Sequence, residues 1–205
     1  NTLIAMLNYG AAAQELFSYK TDSLMNADLT AEQQATQPGY SADLLNGLVV
    51  ADPSKTGSLI ATEGAITQKS AGVTLTGALQ LQFFFLPGKT VDNGEMMLYY
   101  WTTSTYNSVD ELTLENADGS MAMAMNGSFY QGTVSGIAAK DLDKTVYVLA
   151  VFESDGETCL SGITSYSIEQ YCRNQVASGT KNQAMCEALT IYSYFTKVYF
   201  KVDQA

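Results

Sequence analysis

Tyr99, Trp101, Tyr106 and Tyr130 are the side chains of this sequence best suited to touch a ligand. Exposed aromatic rings in a row hold a sugar by stacking on its C–H face. Tyr99 and Trp101, two apart in "EMMLYYWTT", project from one face of a strand, while Leu98 and Tyr100 take the other. Buried, the same rings are core, and the single Trp is assigned to the core because large aromatics fill the middle of a sandwich.

Groups that break bonds are harder to find. Asp110 and Glu111 are adjacent, so on a strand they point to opposite faces, whereas glycoside hydrolysis needs two carboxylates held about 5–10 Å apart across a cleft. Asp141 and Asp143 in "AKDLDKT" offer oxygens, but Ca²⁺ takes six or more such ligands and no DxDxDG loop is present, so they read as a solvated turn entering the strand at Val146. The chain has no histidine, which removes the commonest general base and the commonest zinc ligand. Cys159, Cys172 and Cys186 lack CxxC spacing and make a poor disulfide framework. No catalytic residue, metal ligand or cofactor is nominated, and the chain reads as a non-enzyme.

The charge balance narrows the partners. The 205 residues carry 21 acidic and 10 basic side chains, net −11, with the lysines scattered. Nucleic acid and anionic membrane surfaces are repelled by such a chain. Apolar residues make up 46% and charged residues 15%, the balance of a folded globular protein. No stretch reaches the roughly 18–20 apolar residues of a membrane span, and no basic-then-apolar leader precedes the first helix, so a soluble chain is expected. Opening inside a helix, the sequence also reads as a piece of something longer.

Three regimes must position these residues. Leu3, Met6, Leu7, Gly10, Ala13 and Phe17 recur at helical spacing, predicting a helix within residues 1–20, and Gly10 to Ala13 leave room for another backbone to come close. A polar stretch follows, with one short helical turn expected before Pro38 and Gly39. Residues 40–166 are expected to be β. Val73, Leu75, Leu79, Leu81, Phe83 and Phe85 alternate with polar residues and read as the strongest strand, "EMMLYYWTT" as a second and "ELTLEN" (Glu111 to Asn116) as a third. Asp118-Gly119, Asn126-Gly127 and Asp155-Gly156 read as hairpin turns around "SMAMAM", "SFYQGTVSG", "KTVYVLAVFES" and "ETCLSGITSYS". The expected fold is mainly β (α+β): an antiparallel two-sheet β-sandwich with an N-terminal helix and a C-terminal helical hairpin at residues 167–202.

In that hairpin Ser167 with Gln170, and Thr180 with Gln183, have the spacing of capping boxes, and Gly179 is placed to end the first arm in a left-handed conformation. Cys172 and Cys186 stand seven residues either side of Gly179, close enough for a disulfide, although compact buried thiols are the default. The first and last helices also resemble one another. Laying Ala188 on Ala5 lays Leu189 on Met6, Tyr192 on Tyr9, Ser193 on Gly10 and Phe200 on Phe17. A tandem array whose modules end in such a helix would show this likeness, and so would two unrelated core helices.

The segments "LNYGAAAQELF", "SADL", "GVTLTGALQLQFFF", "GSFYQGTVSGIAAKDLDKTVYVLAV", "SGITSYSIEQYC" and "ALTIYSYFTKVYF", in that order, resemble a module repeated in large surface proteins of gut Clostridia and related Firmicutes. "YGAAAQ" and "GIAAKDLD" are the most specific pieces. Tyr194, Phe195 and Thr196 depart from the small residues usual in the closing helix. The resemblance implies an extracellular, repeat-built module at the bacterial surface, and it transfers no catalytic residue. Two functions are expected to compete: a structural or adhesive module whose partners are neighbouring modules of the same polypeptide or a surface protein, and a carbohydrate-binding module of a surface protein or polysaccharide-degrading enzyme that takes a host or plant glycan on Tyr99, Trp101, Tyr106 and Tyr130.

Overall fold

Alternation of apolar and polar residues decides the middle of the molecule. The computed structural model describes residues 1–19, 30–36, 39, 65–102 and 108–201, and Tyr106 and the "SADL" segment lie outside them. Nine strands form: β1 (Ile66–Thr74), β2 (Gln80–Pro87), β3 (Met96–Trp101), β4 (Gly119–Ala122), β5 (Ala124–Asn126), β6 (Phe129–Val134), β7 (Val146–Ser154), β8 (Glu157–Leu160) and β9 (Thr164–Tyr166). One sheet runs β1-β2-β6-β5, and the other runs β4-β3-β7-β8 with β9 also on β7. Every pairing is antiparallel.

Leu81, Phe83 and Phe85 of β2 share one core with Met96 and Leu98 of β3 and with Val146, Val148, Ala150 and Phe152 of β7, each at most 2% exposed. Burying each of the larger of these side chains contributes about 1.5–3 kcal/mol, which makes this layer the main source of stability. At one edge the sheets are tied by a hydrogen bond, the Thr164 hydroxyl of β9 donating to Gln68 Oε1 of β1 at 2.5 Å.

Among the described residues there are also four helices: α1 (Thr2–Leu16), α2 (Ala31–Thr36), α3 (Ile168–Ala177) and α4 (Gln183–Phe200). The short turn expected before Pro38 is α2, which Thr30 and Gln33 cap reciprocally. Ser167 caps α3 by accepting from the Gln170 N–H at 3.0 Å, and Gly179 follows α3 with φ +58°. The antiparallel sandwich, the opening helix and the closing helical hairpin are therefore as expected.

Several local expectations are corrected. The strand expected from Val73 to Phe85 is the end of β1, a turn through Gly77 at φ +66°, and β2. The alternation continues through the turn because both arms bury the same face. "ELTLEN" is no strand: 3-10 turns occupy Val109–Glu111 and Leu114–Asn116, and Thr113 and Asn116 bond each other's backbone across the second. Asp118-Gly119 consequently joins no hairpin, and Asp118 instead accepts from the Thr102 N–H at 2.5 Å and its hydroxyl at 2.9 Å. "SMAMAM" divides between the sheets as β4 and β5, with Met123 N–H donating to Met96 O at the crossover. Thr180 does not form a capping box. Its oxygen accepts from Asn182 N–H at 3.3 Å, and α4 starts at Gln183 with Asn182 as its N-cap, two residues later than expected. Asp155 and Gly156, with φ +53° and +75°, do make the expected tight turn between β7 and β8.

Candidate functional site

Of the aromatic residues proposed from sequence, the three that are described, Tyr99, Trp101 and Tyr130, do not meet on one face. Tyr130 of β6 is 5% exposed and packs in the core between the sheets. Trp101 is fully buried on the opposite side of the other sheet, where Leu112 and Leu149 close over it and Tyr99, Val109, Leu114, Ala117, Tyr147 and Ile163 pack around them. Tyr99 is half-buried in that outer cluster. Of the expected sugar platform, two rings are therefore core and belong to different layers. The strand phase was right, since Leu98 faces the inner core while Tyr99 and Trp101 face outward. A loop at residues 108–118 then covers that outer face, and no periodicity announces it.

One asparagine shapes the cover. Asn116 Oδ1 accepts from Trp101 Nε1–H at 2.8 Å and from Thr113 N–H at 2.9 Å, and its Nδ2 donates to Glu111 O at 2.7 Å. The buried indole N–H is satisfied, as buried polar groups must be. Here a fixed Trp is a structural pin, since its ring face is unavailable to a sugar.

Asp141 and Asp143 also have structural partners. Lys140 and Lys144 pair with Asp141 at 3.0 and 3.1 Å. Partial burial is the largest single influence and pushes the Asp141 carboxyl up, but the hydrogen bonds and charges of the two lysines together hold it below the usual aspartate value. Asp143 pairs with Lys197 of α4, and Leu142 O accepts from Glu169 N–H at the start of α3 at 2.8 Å. With Leu142 itself 1% exposed, this stretch docks the helical hairpin onto the sandwich. Sequence reasoning missed that role. Among the described residues no three His, Cys, Asp or Glu side chains gather as a metal site, and no helix is long and apolar enough to cross a membrane.

The helical end holds the most suggestive surface. α1 and α4 run antiparallel: the Thr2 hydroxyl donates to Phe195 O at 3.1 Å, Tyr9 stacks on Tyr192 with ring centroids 5.9 Å apart, and Ala12 and Ala13 pack with Met185 and Ala188. The small residues of α1 permit this close approach. Where α1 starts and α4 ends, large apolar side chains stand in solvent: Leu3, Ile4, Met6 and Leu7 on α1, and Tyr194, Val198, Tyr199 and Phe200 on α4. Single exposed apolar residues need no explanation, but a cluster of eight at one end of a molecule marks an interaction surface.

The internal likeness of the two helices gives the cluster a pattern. Ala5 and its counterpart Ala188 are both buried between the helices. Leu3 and Met6 correspond to Cys186 and Leu189, the residues by which α4 sits on the sandwich core, at 0% and 1% exposure. In α1 those two positions keep their apolar character and are 63% and 42% exposed. The alignment was legible in the sequence, but which face of α1 lacks a cover was not.

Comparison with known proteins adds little. No protein-family model and no curated protein matches the sequence. Among solved structures, one described as "Crystal structure of Br derivative BhCBM56" is 15% identical, with a TM-score of 0.35 over 52% of this chain and 95% of that one.

Proposed function

We propose that this chain is a non-catalytic structural or adhesive module of a repetitive, extracellular bacterial surface protein, and that α1 is the closing helix of one module docked on the next. The observation that carries this reading is the face match. Leu3 and Met6 of α1 are exposed at the positions where α4 buries Cys186 and Leu189 on its own sandwich. On this reading α1 occupies two surfaces in the full array, the sandwich of the module before it and the α4 helix of the module after it.

The Tyr9–Tyr192 stack supports the same arrangement. These residues are equivalent in the internal alignment, so the antiparallel pair has a local two-fold passing between them; each helix has one such face, and closing helices therefore pair two by two, one α4 taking the place of α1 on the next. Pairing of this kind stabilises each of the two modules by its neighbour without new chemistry. The acidic, lightly charged composition fits a module kept apart from nucleic acid and anionic membrane. The carbohydrate-binding alternative loses its proposed platform with the burial of Trp101 and Tyr130.

A joined chain tests the proposal: residues 18–200 followed directly by a second copy of residues 18–205, so that α4 of the first copy, with no α1 against it, replaces α1 of the second. Tandem docking predicts one cooperative melt at a higher Tm than that of the single chain. Two separate transitions, the second below that of the single chain, would show that α4 cannot stand in for α1.

A further inference from the structure

Cys172 of α3 and Cys186 of α4 are 1% and 0% exposed, yet they belong to the same core cluster and face one another across the helical hairpin. The Cys186 side chain is the strongest influence on the Cys172 thiol, and the Thr190 hydroxyl, which donates to Cys186 O at 2.8 Å, also acts on it. Tyr9 of α1 packs against the same cluster. Both residues are reduced in this structure, and Cys159 on β8 is a third buried thiol with its Sγ 3.9 Å from Glu157 O. Two buried thiols in one core cluster, each seven residues from the Gly179 turn on helices that pack together, are placed where a disulfide can join the two arms.

We propose that Cys172 and Cys186 are a preset dithiol that closes into a disulfide in an oxidising compartment and locks α3 to α4. Cys159 is a bystander. With glutathione disulfide as oxidant, one Cys thiolate attacks it and expels a glutathione thiolate. The second Cys thiolate then attacks the protein-side sulfur of the mixed disulfide and expels the other. Two protein thiols are oxidised, one glutathione disulfide is reduced to two glutathiones, and the thiol protons pass to solvent.

Timing follows from the surroundings. The hydrogen bond to Cys186, and then burial, push the Cys172 thiol well above the ordinary cysteine value, so little thiolate exists in the folded state. The bond therefore forms as the chain folds or opens locally, and once formed it is shielded from reductants. This inference stands independently of the tandem arrangement, because both cysteines and their contact belong to one hairpin.

The test is to refold the whole chain with oxidised glutathione, alkylate the remaining thiols in denaturant, and map the peptides by mass spectrometry. The expected product is lighter than the reduced chain by about 2 Da before alkylation, the mass of the two hydrogens lost on disulfide formation, with Cys159 as the sole alkylated cysteine. A Cys172–Cys186 peptide pair accompanies it. Its Tm should exceed that of the reduced chain by about 5–10 °C, and Cys186→Ala should abolish the difference. Three alkylated or glutathionylated cysteines in the refolded wild-type chain, or a bond to Cys159 or between chains, would overturn the proposal whatever the variant does.

Discussion

At Asn116 one side chain satisfies a buried indole and two backbone groups, so its loss exposes three unmet hydrogen bonds at once. Asn116→Ala leaves the Trp101 N–H buried without its acceptor, a cost of about 1–3 kcal/mol. Chemical denaturation should read that loss, and the emission of the single Trp should shift to the red as the 108–118 loop admits water. An unchanged spectrum and midpoint would mean that Leu112 and Leu149 alone hold the ring. Gly132 is a second demanding position. A Cβ there would lie 2.5 Å from Leu98 Cδ2 and 3.1 Å from its Cβ, beside a fully buried side chain. Gly132→Ala should therefore destabilise by about 1–3 kcal/mol, and Leu98→Ala in the same chain should offset part of the clash. Sequence disclosed neither role. Asn116 lay in what reads as a strand, and a glycine's need for space depends on a partner from another sheet.

At the scale of elements, α1 is the piece most easily separated. It packs on α4 and on the small cluster of Met185 and Ala188, with Tyr9 reaching the main core. Burial, and then the nearby Cys172, Cys186 and Tyr192, raise the Tyr9 phenol from 10.0 to about 12. The folded state thus favours the neutral phenol. Its contribution to docking is fully present below about pH 10 and is lost as pH rises through about 12. Helical circular dichroism should fall in that window, before the sheet signal does. Tyr9→Phe should move the loss to higher pH; Tyr166 and Tyr171, also raised by burial, belong to β9 and α3 and are untouched by that change. A wild-type helix signal that is flat to pH 12 would contradict this picture. Helices and their caps were legible because 3.6-residue spacing and the Ser167 and Gly179 signals are local. The β1–β2 hairpin and the β4–β5 crossover were not, since a turn that preserves the apolar phase looks like an uninterrupted strand.

Over the whole molecule, alternation in the middle of the chain sufficed to announce two packed antiparallel sheets, and the likeness of the first and last helices was visible, whereas their packing against one another was not. The aromatic platform failed for a reason that no pattern carries: the 108–118 loop folds back over the outer face of β3 and β7, turning a candidate binding surface into a second small core. Most of the large apolar side chains left exposed among the described residues stand at the helical end. The most direct measurement is a double-mutant cycle in the joined two-copy chain, replacing Tyr192 of the first copy, Tyr192 of the second, or both, by Ala, and measuring unfolding free energies. If α4 of one module docks on α4 of the next as α1 docks here, the two sites should couple by about 0.5–1.5 kcal/mol, the value of a stacked aromatic pair. Strictly additive losses would place the two tyrosines apart and contradict the tandem arrangement.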